Sequence, residues 1–116
     1  MRQVMILPEQ REKLLENGRV NLAHRMEDGN TVDFFPVVKL FNPCGAATWW
    51  ISEMDEDGDT VFGVCDLGMG FAELGYSSLS EIAALTLPFG LYIERDEHFE
   101  ARFPVSAFAA QTPPQR

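Results

Sequence analysis

β-branched and aromatic apolar runs bounded by turn residues fill the middle of the chain, while an apolar stripe after Pro8 and a capping signature at Ser78 mark helices. The segment EQREKLLENG, with Pro8 in a first-turn position, Glu9 and Glu12 near the positive end and Leu7, Leu14 and Leu15 on one stripe, predicts a short first helix stopped by Asn17-Gly18. Residues 23–33, AHRMEDGNTVD, are polar and predict a surface loop or hairpin turn. Pro36–Phe41 has the β-branched, apolar character of a strand, Asn42-Pro43-Cys44-Gly45 has turn chemistry, and Ala47–Glu53 is the partner strand. Asp55–Asp59 is a second, acidic turn and Thr60–Asp66 a third strand, so residues 36–66 form an antiparallel meander.

Alternation on the second strand puts Trp49 and Ile51 on one face and Thr48, Trp50 and Ser52 on the other. With the first face on the core, Trp50 is covered by a helix or loop of the same fold, or it is an exposed interface anchor; coverage is the expectation, because large aromatics seldom stay exposed on monomers. Gly68-Met69-Gly70 breaks the pattern, and Phe71–Tyr76 is a short strand or a loop. Ser78-Leu79-Ser80-Glu81 is a capping-box signature opening a helix over Leu79–Leu85, which Pro88 ends. Leu91–Glu94 and His98–Phe103 are expected as strands around the Arg95-Asp96-Glu97 turn. The sum is an α+β fold: one domain over residues 1–110, mainly an antiparallel sheet with two short helices, and a loose tail over 111–116.

Composition narrows the class. A chain of 116 residues, 46% apolar and 23% charged, is large enough for a single core and has the usage of an ordinary folded domain. Two cysteines cannot make a disulfide scaffold, and neither a membrane-spanning run nor a signal-peptide apolar region is present, so a cytoplasmic protein is expected.

The charge changes the picture more. Both flanks are balanced, yet between Lys39 and Arg95 there is no Lys or Arg, while Glu53, Asp55, Glu56, Asp57, Asp59, Asp66, Glu73, Glu81 and Glu94 place the whole net charge of −9 in the middle half. A phosphate-tracking surface needs clustered cations, so direct nucleic-acid binding by this segment is disfavoured, and a basic protein surface is the natural complement. The plain alternative is that the carboxylates occupy solvated turns and keep a small domain soluble.

Catalytic and metal chemistry finds weak footholds. Glu53–Asp59 resembles the first half of a calcium loop, with Gly58 at position six, but position twelve is Val64, where a bidentate Glu is required, and no metal site is expected. Gly68-x-Gly70 lacks a third glycine, Glu73 standing in its place, so no nucleotide cofactor is expected. A nucleophilic reading would take Cys44 or Cys65 with His24 or His98 as base, and no pair has the close spacing of a zinc site. Cys65 alternates with Val61 and Gly63 and is expected as a small buried hydrophobe, and Arg95, Asp96 and His98 read equally as a ligand-orienting cluster or an ordinary charged turn.

Taken together, the PVVKLF strand, the ATW segment, the CDLGMG turn, the ELG-x-x-SLSE helix start and the ERD-x-x-F stretch resemble the bacterial family catalogued as domain of unknown function 2958, over roughly Leu7 to Ala109. The resemblance implies a small protein or module encoded on plasmids, integrative elements and phages, beside replication, transfer and anti-restriction genes; it transfers no catalytic residue. The expectation is therefore a small acidic accessory protein of mobile genetic elements that binds other proteins, in one version a nucleic-acid mimic docking on the basic groove of a nuclease. Asp55, Glu56, Asp57, Asp59, Asp66 and Glu73 are the candidate contacts, with Trp50 or Phe71 as apolar anchors. The alternative is a small hydrolase or transferase using Cys65, Asp96 and His98 in a cleft, and a homodimer through an apolar sheet face is compatible with either.

Overall fold

The computed structural model describes residues 3–110, so the expected tail over 111–116 lies outside the described residues. Helix α1 spans Pro8–Glu27, followed by strands β1 (Val38–Phe41), β2 (Thr48–Met54), β3 (Thr60–Asp66) and β4 (Ala72–Ser78), helix α2 (Leu79–Ala84), the two-residue strand β5 (Glu94–Arg95) and helix α3 (Val105–Ala110). The strands form one antiparallel sheet in the order β4-β3-β2-β1-β5, so the fold class is α+β, with three helices rather than the two expected.

The meander follows the expected strands to within two residues. The first helix does not. It runs straight through Asn17-Gly18 for 20 residues and takes in residues 23–27, which had been expected in a loop. Leu14, Asn17, Gly18 and Asn21 recur at helical spacing and are the buried stripe of α1. Asn17 Nδ2 donates to the Ser52 carbonyl at 3.0 Å. Gly18 lies so close to β2 that a Cβ there would overlap the Met54 carbonyl oxygen. Asn21 donates to Glu53 Oε2 at 2.6 Å and accepts from the Val32 amide at 2.7 Å. A dipeptide that ends helices elsewhere is here the seam by which a helix approaches a strand.

On the α1 side of the sheet Val38, Leu40, Trp49, Ile51, Met54 and Val61 pack with Ile6, Leu14, Leu79, Ile82 and Ile93 into the main core. A register shift between Ile51 and Glu53 buries Ser52 and Glu53 at the bulge. On the other side α3 lies across β2, β3 and β4. There the Trp50 ring meets the Phe108 ring at 5.2 Å, and Val64 and Val105 are buried. Trp50 is thus covered within its own fold, as its alternation with Trp49 implied.

His98–Phe103 is not a strand. Asp96 Oδ1 accepts from the His98 amide at 2.9 Å, which turns the chain away from the sheet after the two residues of β5, and the expected Leu91–Glu94 strand shrinks to Glu94–Arg95. The expected Phe71–Tyr76 segment is β4, an edge strand paired with β3 over seven consecutive positions.

Candidate functional site

Strand β3 separates the candidate carboxylates into two groups. Asp55, Glu56, Asp57 and Asp59 precede its first residue, whereas Asp66 is its last and Glu73 pairs across from Cys65 on β4. Seven residues of strand put about 20 Å between the groups.

At the first end Glu56, Asp57 and Asp59 are engaged by the fold. Asp57 Oδ1 accepts from the Asp59 and Thr60 amides, each at 2.8 Å, and its other oxygen from the Thr60 hydroxyl at 2.7 Å. These bonds to the charged form hold its carboxyl below the ordinary aspartate value. Asp59 accepts from the Ser78 hydroxyl at 2.7 Å and the Ser80 amide at 2.8 Å, which lowers its pKa too and fastens the turn to the start of α2. Ser78 in turn caps that helix, its hydroxyl accepting from the Glu81 amide. Glu56 is paired with Arg19 at 2.7 Å, and Arg11 donates to the Gly58 carbonyl, so cations from α1 reach the acidic turn that has none of its own. The half calcium loop is an ordinary turn, with its position-twelve residue Val64 buried.

The Cys65, Asp96, His98 combination is not assembled. Asp96 and His98 line a cleft of about 440 Å³ over β1 and β5, with Lys39, Asn42, Thr48 and Glu94. Its charges pair among themselves, Lys39 with Asp96 at 3.5 Å and Arg95 with Glu97 at 3.5 Å. Cys65 lies on β3, three strands from β5, opposite Trp49 and packed against the main core. Burial, reinforced by the Asp66 and Glu73 carboxylates, pushes its thiol pKa up, the opposite of what a nucleophile needs. Among the described residues no three His, Cys, Asp or Glu side chains converge on a point that a metal ion could fill.

The other end of β3 is different. The β3–β4 turn reads Leu67-Gly68-Met69-Gly70-Phe71, and its three large apolar side chains are 52%, 70% and 73% exposed. Gly68 (φ 84°) and Gly70 (φ 88°) take the left-handed conformation that side chains disfavour, and a Cβ on Gly68 would overlap the Ala46 methyl. The turn is therefore seated on the β1–β2 loop, held further by the Gly68 amide donating to Asp66 Oδ1 at 2.8 Å. The almost fully exposed Phe89 stands in the adjoining Pro88–Gly90 turn, whose Pro88 carbonyl accepts from the Cys44 thiol of the same β1–β2 loop. Among the described residues Asp66 and Glu73 have no cationic partner within 4 Å. Phe71 is one of the two anchors expected from the sequence, whereas Leu67, Met69 and Phe89 are not among them. The signal for the first two is a run of apolar residues spaced by glycines where a hairpin turn is normally polar.

No described helix is long and apolar enough to cross a membrane. The family model described as "Protein of unknown function (DUF2958)" matches residues 5–114. Neither the curated proteins nor the solved structures contain a match to the chain.

Proposed function

From the premise that the chain belongs to the family described as protein of unknown function DUF2958, we propose that it is an accessory protein of mobile genetic elements that works by binding another protein through the β3–β4 turn. The observation that carries this reading is the presentation of Leu67, Met69 and Phe71 to solvent on a turn fixed by two left-handed glycines. Large exposed apolar side chains grouped on one turn mark interaction sites on soluble proteins, so Leu67, Met69 and Phe71 on a rigid support point to a surface that is covered in use. Asp66 and Glu73 flank them with no cationic partner among the described residues, so the complementary partner is a protein with an apolar pocket rimmed by Lys or Arg.

The geometry favours this over mimicry of a nucleic acid. A mimic needs carboxylates along one face, and here four of the six candidates sit at the far end of β3, three of them, Glu56, Asp57 and Asp59, engaged by Arg19, by turn amides and by Ser78. Mobile-element function is supported by the family resemblance alone, and an anti-defence role is one form it could take.

The test compares three proteins against extracts of cells carrying the element: the wild type, L67S/M69S/F71S, and a turn variant, D55N/E56Q. A polypeptide retained by the wild type and by the turn variant, but bound at least about 100-fold more weakly by the tip variant in calorimetry, is the expected result. Equal affinity of the tip variant, with unchanged circular dichroism, overturns the proposal. Loss of binding only in the turn variant would restore the mimic.

A further inference from the structure

Edge strands of soluble proteins are usually guarded, and the two edges of this sheet are treated differently. Strand β5 is two residues long and carries the buried Arg95, whose guanidinium is occupied by the Val4 carbonyl and Glu97. Strand β4 is seven residues long and has a strand neighbour on one side only. It contains no Lys, Arg or Pro, and no bulge interrupts its pairing with β3. Its outer row of amides and carbonyls is a template for another strand.

The side chains of β4 specify which strand would fit. In Ala-Glu-Leu-Gly-Tyr-Ser-Ser, Leu74 and Tyr76 flank the central Gly75 and are 45% and 57% exposed, and they share the sheet face on which the Tyr76 ring meets Phe62 at 5.1 Å. A second copy of β4 laid antiparallel, with the two-fold axis at Gly75, sets Leu74 of each chain opposite Tyr76 of the other and Glu73 opposite Ser77. Apolar groups then meet apolar groups, each carboxylate faces a hydroxyl, and no two like charges oppose each other. Gly75 leaves open space at the axis, since a Cβ there would meet nothing within 4 Å. We infer that the protein self-associates through β4 into a two-fold dimer with one continuous ten-stranded sheet, an isologous contact of small area and hence a concentration-dependent one.

This inference stands on the β4 edge and not on the Leu67-Met69-Phe71 surface, so L67S/M69S/F71S remains dimeric if it is right. Sedimentation of the full chain over a dilution series is expected to move from twice the 13.1 kDa chain mass towards the chain mass. L74K/Y76K, which brings ammonium groups face to face across the axis, should weaken the dimer at least about tenfold. Register is tested without relying on that variant. In a C44S/C65A background, G75C should form a reducible cross-link between chains on oxidation. A72C should not, because the two copies of position 72 lie about 20 Å apart in this pairing. A mass fixed at that of one chain, absence of the G75C cross-link, or equal cross-linking at positions 72 and 75 overturns the inference.

Discussion

Both ends of strand β3 carry carboxylates and use them in opposite ways. At the Asp55–Asp59 end, Glu56, Asp57 and Asp59 stay at the surface but are tied to the fold by hydrogen bonds or an ion pair. Asp57 closes its own turn, Asp59 fastens the start of α2, and Arg11 and Arg19 arrive from α1 to complete the arrangement. At the Leu67–Phe71 end the carboxylates of Asp66 and Glu73 have no cation within 4 Å among the described residues, and Leu67, Met69 and Phe71 are more than half exposed. One end is built to hold the fold together and the other is held by it. An uncompensated charge count along a sequence therefore does not locate an electrostatic surface, because residues distant in sequence decide which carboxylates remain available.

The strongest way to probe the structural end is Gly18→Ala, where the new methyl has nowhere to go against the Met54 carbonyl. Separation of α1 from β2 should cost about 3 kcal/mol in urea unfolding. Gly68→Ala is the matching change at the exposed end. Its left-handed backbone and the Ala46 contact should cost about 1–2 kcal/mol, with loss of partner affinity beyond what the stability change explains. Equal stability losses with no effect on binding would erase the distinction between the ends.

Next in size is a paired neutralisation. D57N/D59N removes carboxylates whose charged forms accept several hydrogen bonds, and the melting temperature should fall. Because both pKa values are depressed, their stabilisation is present above the ordinary value of 3.8 and is lost as pH falls through the lower folded values. The variant should accordingly lose less stability than the wild type below about pH 4. D66N/E73Q, removing two unpaired charges from a negative surface, should leave the melting temperature unchanged or slightly raised. A fall in melting temperature on D66N/E73Q as large as that on D57N/D59N would show both ends to be structural.

The three strands of the meander were legible in the sequence because β-branched runs and turn residues are local signals, and the Ser78 cap was legible because its hydroxyl and the Glu81 amide are three residues apart. The length of α1 was not. Its buried face is Asn17, Gly18 and Asn21, polar or side-chain-free residues whose partners are the Ser52 carbonyl, Glu53 and the Met54 backbone, more than 30 positions away. Helix α3 is a single six-residue segment defined by what it covers, so it offers no periodicity to read. The candidate site was legible in part. Phe71, Asp66 and Glu73 were singled out, while Asp57 and Asp59 were grouped with them because nothing local distinguishes a carboxylate facing solvent from one bonded to Ser80.

The smallest expected effect concerns Glu53, the one carboxylate of the middle segment that the fold buries. Burial pushes its pKa above the ordinary 4.5, opposed by the Asn21 amide and the Arg25 charge. The folded chain then holds this proton more tightly than the unfolded chain, so lowering pH from neutrality through the folded value adds stability, and the gain is complete below 4.5. That sign is opposite to the sign for Asp57 and Asp59, and the windows do not overlap, since those two act below 3.8. Glu53→Gln keeps an oxygen to accept from Asn21 and removes the titration. Comparing urea midpoints at neutral pH and at a pH just below 4.5 should show the variant more stable relative to wild type at the higher pH, the difference shrinking at the lower. A constant difference between the two proteins would mean that Glu53 is solvated in the folded chain, and that the structural end of β3 contains no buried charge.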